Sequence, residues 1–85
     1  MLSHGEPRYP EQLRRLGMTG AVRLEYLIGL NGRLDSASIR VLASTHPAFS
    51  AAAIESLIRA SFKPARHHGF AVPARVQQTI RFAKR

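Results

Sequence analysis

The sequence predicts a small α+β domain: a three-stranded antiparallel sheet with helices packed on one face. Three observations carry that expectation. Val22, Leu24, Tyr26, Ile28 and Leu30 alternate with Arg23, Glu25, Leu27 and Gly29, the period-two pattern of a strand with one buried face. Asn31-Gly32 follows at once, the pair that favours a type I′ hairpin turn because both central residues take positive φ. Ala74, Val76, Gln78, Ile80 and Phe82 alternate with Arg75, Gln77, Thr79 and Arg81 in a last strand whose other face is wholly polar, so helices cover the sheet on one side only.

The elements follow in the order helix, strand, strand, helix, strand. Residues 1–8 read as the end of a linker and residues 9–85 as the domain. Pro10 to Leu16 forms a short helix, with Leu13 and Leu16 on one face and Gly17 placed to end it. The second strand runs from Arg33 to about Ala43 and buries Ala37, Ile39 and Val41. Leu34 and Ala37 have opposite parity, so one points outward or a bulge separates them. Phe49 to Phe62 is the main helix, with Ser50 as N-cap and Phe49 stapled to Ile54. Its inner stripe is Ala53, Leu57 and Ala60 or Ser61, widened by Ile54 and Ile58. Lys63-Pro64 stops it. A loop through Arg66-His67-His68-Gly69 leads to the last strand, about Val72 to Phe82, and Pro73 puts the start of that strand at a sheet edge.

Eighty-five residues bound the chain to one domain with an economical core. It has no cysteine, so no disulfide staples it, and the absence fits any compartment. No apolar run approaches the ~20 residues that span a bilayer, and Met1 to Pro7 lacks the pattern of a signal peptide. Thirteen Lys and Arg against five Asp and Glu give a net charge of +8. That charge suits an anionic partner or a merely solvated basic surface.

The chemistry of an enzyme is missing. Glu6, Glu11, Glu25, Asp35 and Glu55 are scattered, with no pair for acid–base work. No serine lies in a Gly-x-Ser-x-Gly turn, and no glycine-rich loop opens a helix to cradle a phosphate. His67-His68 is too small a set for a metal, and adjacent side chains of this kind tend to point apart. No cofactor and no small-molecule substrate are expected. An arginine-bearing sheet face resembles a nucleic-acid platform in outline, but Arg75, Gln77, Thr79 and Arg81 include no aromatic ring for base stacking.

The remaining feature is the open edge of the last strand. Unpaired backbone groups there are either protected or used to capture another strand. Arg75 and Arg81 serve either reading, as charges that blunt the edge or as attractors of an acidic extended peptide.

In its motifs the chain resembles the C-terminal domain of the TonB energy-transducer family over about residues 6 to 83. Pro7-Arg8-Tyr9-Pro10 is similar to the family's Tyr-Pro entry to the first helix, and Met18-Thr19-Gly20-Ala21-Val22 to its Gly-x-Val strand opening. Leu30-Asn31-Gly32-Arg33-Leu34 resembles its hairpin turn. Phe49 with Ala52-Ala53 resembles the start of its long helix, and Phe62-Lys63-Pro64-Ala65 the end. Gly69 and then Val72 to Phe82, closing on Ile80-Arg81-Phe82, resemble its last strand.

The resemblance implies a non-enzymatic periplasmic module that passes proton-motive-force energy to outer-membrane transporters for nutrient uptake, siderophores and vitamins among them. It implies that the transporter's TonB box adds as a strand beside Arg75, Val76, Gln77, Gln78, Thr79, Ile80, Arg81 and Phe82. It also implies that Glu6, Pro7, Arg8, Tyr9 and Pro10 face the transporter. Glu6 stands where the family often has Gln. The family's inner-membrane anchor, which engages an ExbB/ExbD-type motor, and its Pro-rich spacer are absent from this sequence. The expectation is an excised domain, with a stand-alone relative as the alternative. Edge-to-edge pairing into a homodimer is a further expectation from the open edge. Two other functions stay open at this point: a TonB-like domain serving a sensor or secretion system, and a basic nucleic-acid-binding domain.

Overall fold

The computed structural model describes residues 7–60 and 65–83. Helix α1 spans Glu11–Arg15, strand β1 Gly20–Ile28, β2 Leu34–Ser44 and helix α2 Pro47–Arg59. Strands β3 (Ala65–His67) and β4 (Phe70–Val72) form a separate two-stranded ribbon, and β5 runs from Ala74 to Phe82. The main sheet has the order β2-β1-β5 with both pairings antiparallel. The expected α+β architecture is therefore present, with the ribbon as an addition.

Alternation along β1 buries Val22, Leu24, Tyr26 and Ile28 against α2, and Ile80 and Phe82 of β5 join them. From α2 the core takes Phe49, Ala52, Ala53 and Leu57, and from α1 it takes Leu13. The alanines let the helix lie close to the sheet. Ile58 is exposed, contrary to the expected stripe; Ser56 is buried instead, its hydroxyl donating to the Ala53 carbonyl at 2.7 Å. That internal bond satisfies the one polar group the buried helix face carries.

Gly17 ends α1 with φ 68°, its N–H donating to Arg14 O while Met18 N–H donates to Leu13 O. These paired bonds are a Schellman motif, which requires the left-handed residue that glycine supplies. The helix stops one residue earlier than expected, so Leu16 is the C-cap and is exposed instead of sharing the buried face of Leu13.

The first hairpin turn differs from the expected type I′. Only Gly32 takes a positive φ, 78°, and Asn31 does not. Gly32 N–H donates to Gly29 O, and Gly29 N–H donates to Arg33 O at 2.8 Å. The loop is therefore three residues long, Leu30 to Gly32, with the left-handed residue last. Leu30 lies in this loop, exposed, and is not part of the buried strand face.

The parity conflict in β2 resolves as a wide bulge. Opposite Tyr26 alone, four residues from Ser36 to Ile39 leave the ladder between the Glu25–Arg40 and Leu27–Asp35 pairs. Side chains close the gap. The Ser38 hydroxyl donates to Asp35 O at 2.6 Å and accepts the Leu27 N–H at 2.8 Å, while Asp35 Oδ1 accepts the Ala37 N–H. A second irregularity sets Leu42 aside between Ala43 and Val41. The bulges turn Ala37 and Val41 outward, against the expected burial, and leave Ile39 half-buried.

Helix α2 begins at Pro47, two residues before the expected start at Phe49. Pro47 occupies the first turn, and His46 is the N-cap, its Nδ1 accepting the Ala48 N–H at 3.0 Å. Proline suits this position because its missing N–H has no partner there in any case. Ser50 lies inside the first turn and donates back to Ser44 Oγ at 2.6 Å. The helix is helical to Arg59; its expected continuation to Phe62 and the Lys63-Pro64 stop lie outside the described residues.

Candidate functional site

Strand β5 pairs with β1 over its whole length, from Gly20–Phe82 to Ile28–Ala74, without a register shift. Its other side has no strand neighbour among the described residues. Nine residues of regular backbone therefore present one open edge. The opposite edge of the sheet is β2, which two bulges interrupt. A regular edge accepts an added strand, and a bulged edge resists one.

The side chains of β5 divide as the alternation requires. Val76 and Gln78 are half-buried, and Ile80 and Phe82 are in the core. These four offer a partner their backbone and little side chain. Gln78 accepts a hydrogen bond from the Tyr26 hydroxyl at 2.7 Å, and burial pushes the Tyr26 phenol up from its ordinary pKa. On the open face, Gln77 accepts from Arg23 at 2.8 Å, and Arg75 lies 3.4 Å from the Glu25 carboxylate. Arg81 and Thr79 are exposed, and Arg81 has no hydrogen bond or ion pair among the described residues. Among the described residues Arg81 is thus without an acidic partner, while Arg75 is already committed to Glu25.

The segment before α1 packs against the same end of the sheet. The Tyr9 ring meets Phe49 and Phe82 edge to face, each at 5.7 Å between centroids, and Phe49 stacks on Phe82 at 4.5 Å. The Tyr9 hydroxyl donates to the Met18 carbonyl. Gly20 makes this cluster possible: a Cβ there would lie 2.6 Å from the Phe49 ring and would also strike the Thr45 hydroxyl. Arg8 pairs with Glu55 of α2 at 3.7 Å, so it is turned toward the helix. Pro7 and Pro10 are half-buried. Glu6 lies outside the described residues. Of the residues singled out in sequence, Tyr9 and Phe82 are brought into contact. Arg8 lies apart, bound to Glu55.

Sequence reasoning missed Glu25, which neutralises Arg75, and the Met18 carbonyl that holds Tyr9. The Glu25–Arg75 contact could have been found from the register, since Glu25 faces Gln77 and its neighbour Leu27 faces Arg75. Two other acidic side chains are similarly engaged, Glu11 with Arg14 and Arg15, and Glu55 with Arg8 and Arg59; Asp35 instead accepts the Ala37 N–H. His67 and His68 do not point apart; their rings meet at 4.2 Å between centroids because His68 takes a φ of 50° in a turn. Among the described residues no three His, Cys, Asp or Glu are placed to hold a metal, and no helix is long and apolar enough to cross a membrane.

The described residues thus form a small α+β domain whose three-stranded sheet has one regular open edge. The chain belongs to the family described as Gram-negative bacterial TonB protein C-terminal, whose model matches residues 5–83. It is similar to the solution NMR structure of the Pseudomonas aeruginosa TonB C-terminal domain, with a TM-score of 0.79 and 25% sequence identity. That match covers 94% of this chain and 80% of the other. No curated protein sequence matches this chain. The family is one of non-enzymatic interaction domains that work with outer-membrane transporters.

Proposed function

We propose that the domain captures the TonB box of an outer-membrane transporter as an added strand on the free edge of β5. The observation that supports this reading is the uninterrupted nine-residue β5 edge opposite a bulged β2 edge. Backbone hydrogen bonds supply the affinity of such pairing, and side chains on alternating positions tune it. A box lying beside β5 meets Arg75, Gln77, Thr79 and Arg81 on the open face. Arg81 steers an acidic box residue, since it is exposed and has no ion pair among the described residues, while Arg75 contributes less because Glu25 offsets it.

In this reading Pro7 to Pro10 forms the flank of the site, fixed to the end of β5 through Tyr9 and Phe82. The domain works in the periplasm as the receiving end of an energy transducer. In this reading the energy comes from an inner-membrane ExbB/ExbD-type motor. Force applied through the complex is shared by several backbone hydrogen bonds, so bonds of about 1 kcal/mol each resist together.

The test is an amide NMR titration with a peptide carrying a transporter's TonB box, at low and high salt. Strand capture shifts Ala74 to Phe82 and the Pro7–Pro10 flank and survives salt. Unmoved β5 amides, with salt-sensitive shifts on adding an oligonucleotide, reject it in favour of a phosphate-binding surface.

A further inference from the structure

The β3–β4 ribbon takes no part in the main sheet, and none of its described residues belongs to the buried core. It is a two-residue hairpin, with His68 at φ 50° and Gly69 at φ 81° in its turn. Two consecutive positive φ values are the mark of a type I′ turn, which closes strands tightly. The ribbon is thus well formed without burying anything of consequence.

Its most conspicuous residue is Phe70, 74% exposed, the most exposed large apolar side chain among the described residues. Phe70 is the cross-strand partner of His67, so the two share a ribbon face. His67 in turn contacts His68. Arg66 lies on the other face, its guanidinium 3.3 Å from the Gly69 carbonyl. From Ser56 to Arg85 the sequence has seven Lys and Arg and no Asp or Glu; Arg59 and Arg75 are offset by Glu55 and Glu25, and the rest leave the segment basic.

A phenyl ring held in water at a hairpin tip, within a basic segment, matches the two needs of a phospholipid surface. Apolar side chains such as Phe bury at the boundary between headgroups and acyl chains, and Lys and Arg are drawn to anionic headgroups. An acidic polymer would take up the charge alone. A nucleic acid would need several spaced rings for stacking, and the ribbon offers one. We propose that the β3–β4 ribbon is a finger that touches an anionic phospholipid surface, with Phe70 at the interface and Arg66 beside it. One ring and a few cations give a weak, reversible contact, in keeping with a module held near a membrane by other means. This inference is independent of strand capture at β5.

The chain has no tryptophan, so Phe70→Trp introduces a lone fluorescent reporter at the tip. Leu16→Trp, at another highly exposed apolar position, is the control. Each is mixed with phosphatidylcholine vesicles, with vesicles half phosphatidylglycerol, and with soluble polyglutamate. The expected result is a blue shift for Phe70→Trp alone, with the phosphatidylglycerol vesicles alone. Phe70→Ser should weaken co-sedimentation with those vesicles several-fold while leaving the thermal midpoint unchanged. Co-sedimentation without a blue shift at position 70, an equal shift at position 16, or the same shift with polyglutamate would each overturn the proposal.

Discussion

Tyr9 and Phe82 meet edge to face at 5.7 Å, joining the segment that enters the domain to the last residue of its edge strand. The two are far apart in sequence, yet both close over Phe49. The chain's entry point and the end of β5 are therefore parts of one aromatic cluster.

Truncating Tyr9 separates these parts. Tyr9→Phe loses the hydrogen bond to the Met18 carbonyl and should cost about 1 kcal/mol. Tyr9→Ala also removes the two ring contacts and should cost roughly 2–4 kcal/mol. Urea denaturation compares the two, and equal losses would show that the rings contribute nothing.

Gly20 admits no side chain. Gly20→Ala forces the Phe49 ring and the Thr45 hydroxyl to shift, since both lie too close for a Cβ. Overpacking of this kind costs about 1–3 kcal/mol. A melting temperature matching that of the unsubstituted domain would mean that α2 moves away freely.

His46 caps α2 through a neutral ring nitrogen. His46→Ala should destabilise by about 1 kcal/mol, and His46→Asp should recover most of that, because Asp caps well and suits the helix dipole. Thermal melts of the three proteins decide the order. If Asp proves no better than Ala, the contribution of His46 lies in its ring contact with Phe49.

Tyr26 makes stability fall at high pH. Burial raises its phenol above the ordinary value of about 10, so folding favours the neutral form. The stabilisation is complete below about pH 10 and is lost as pH rises through the folded-state value. Tyr26→Phe should lose about 1 kcal/mol at neutral pH, with its bond to Gln78 gone, and show a shallower alkaline decline. Parallel declines of the two proteins between pH 9 and 11 would exclude Tyr26 as the source.

Arg81 is the side chain through which salt and charge should act on peptide capture. Arg81→Glu should weaken binding of an acidic box peptide several-fold at low salt and by less at high salt. Arg75→Glu repels Glu25 as well, so it should also destabilise the fold. Calorimetric titration separates these effects, and equal affinities for the Arg81→Glu and unsubstituted domains would remove Arg81 from the site.

The strands were legible because their signal is local. Alternation from Val22 to Ile28 and from Ala74 to Phe82 reports which face is buried, and both faces are as read. What escaped depends on details that alternation does not encode. The β2 bulge is set by Asp35 and Ser38 side chains bonding to nearby backbone, which inverts parity for Ala37 and Val41. The α2 start was misplaced because histidine is an unusual cap, although Pro47 marked it. The ribbon was hidden because three-residue strands are too short to show a period. At the candidate site, the edge position of β5 could be anticipated from Pro73 and the polar face. The neutralisation of Arg75 by Glu25 required the register.

The unequal edges of the sheet also fix its valence. With β2 interrupted and β5 regular, the domain resembles a monomer bearing a single reactive end. Joining two such ends leaves only the interrupted β2 edges outside, whereas a captured peptide carries the open edge away from the domain. Between copies of the domain, a strand-pairing surface of this design is a chain terminator: it can stay open for a partner at high local concentration without seeding a fibril.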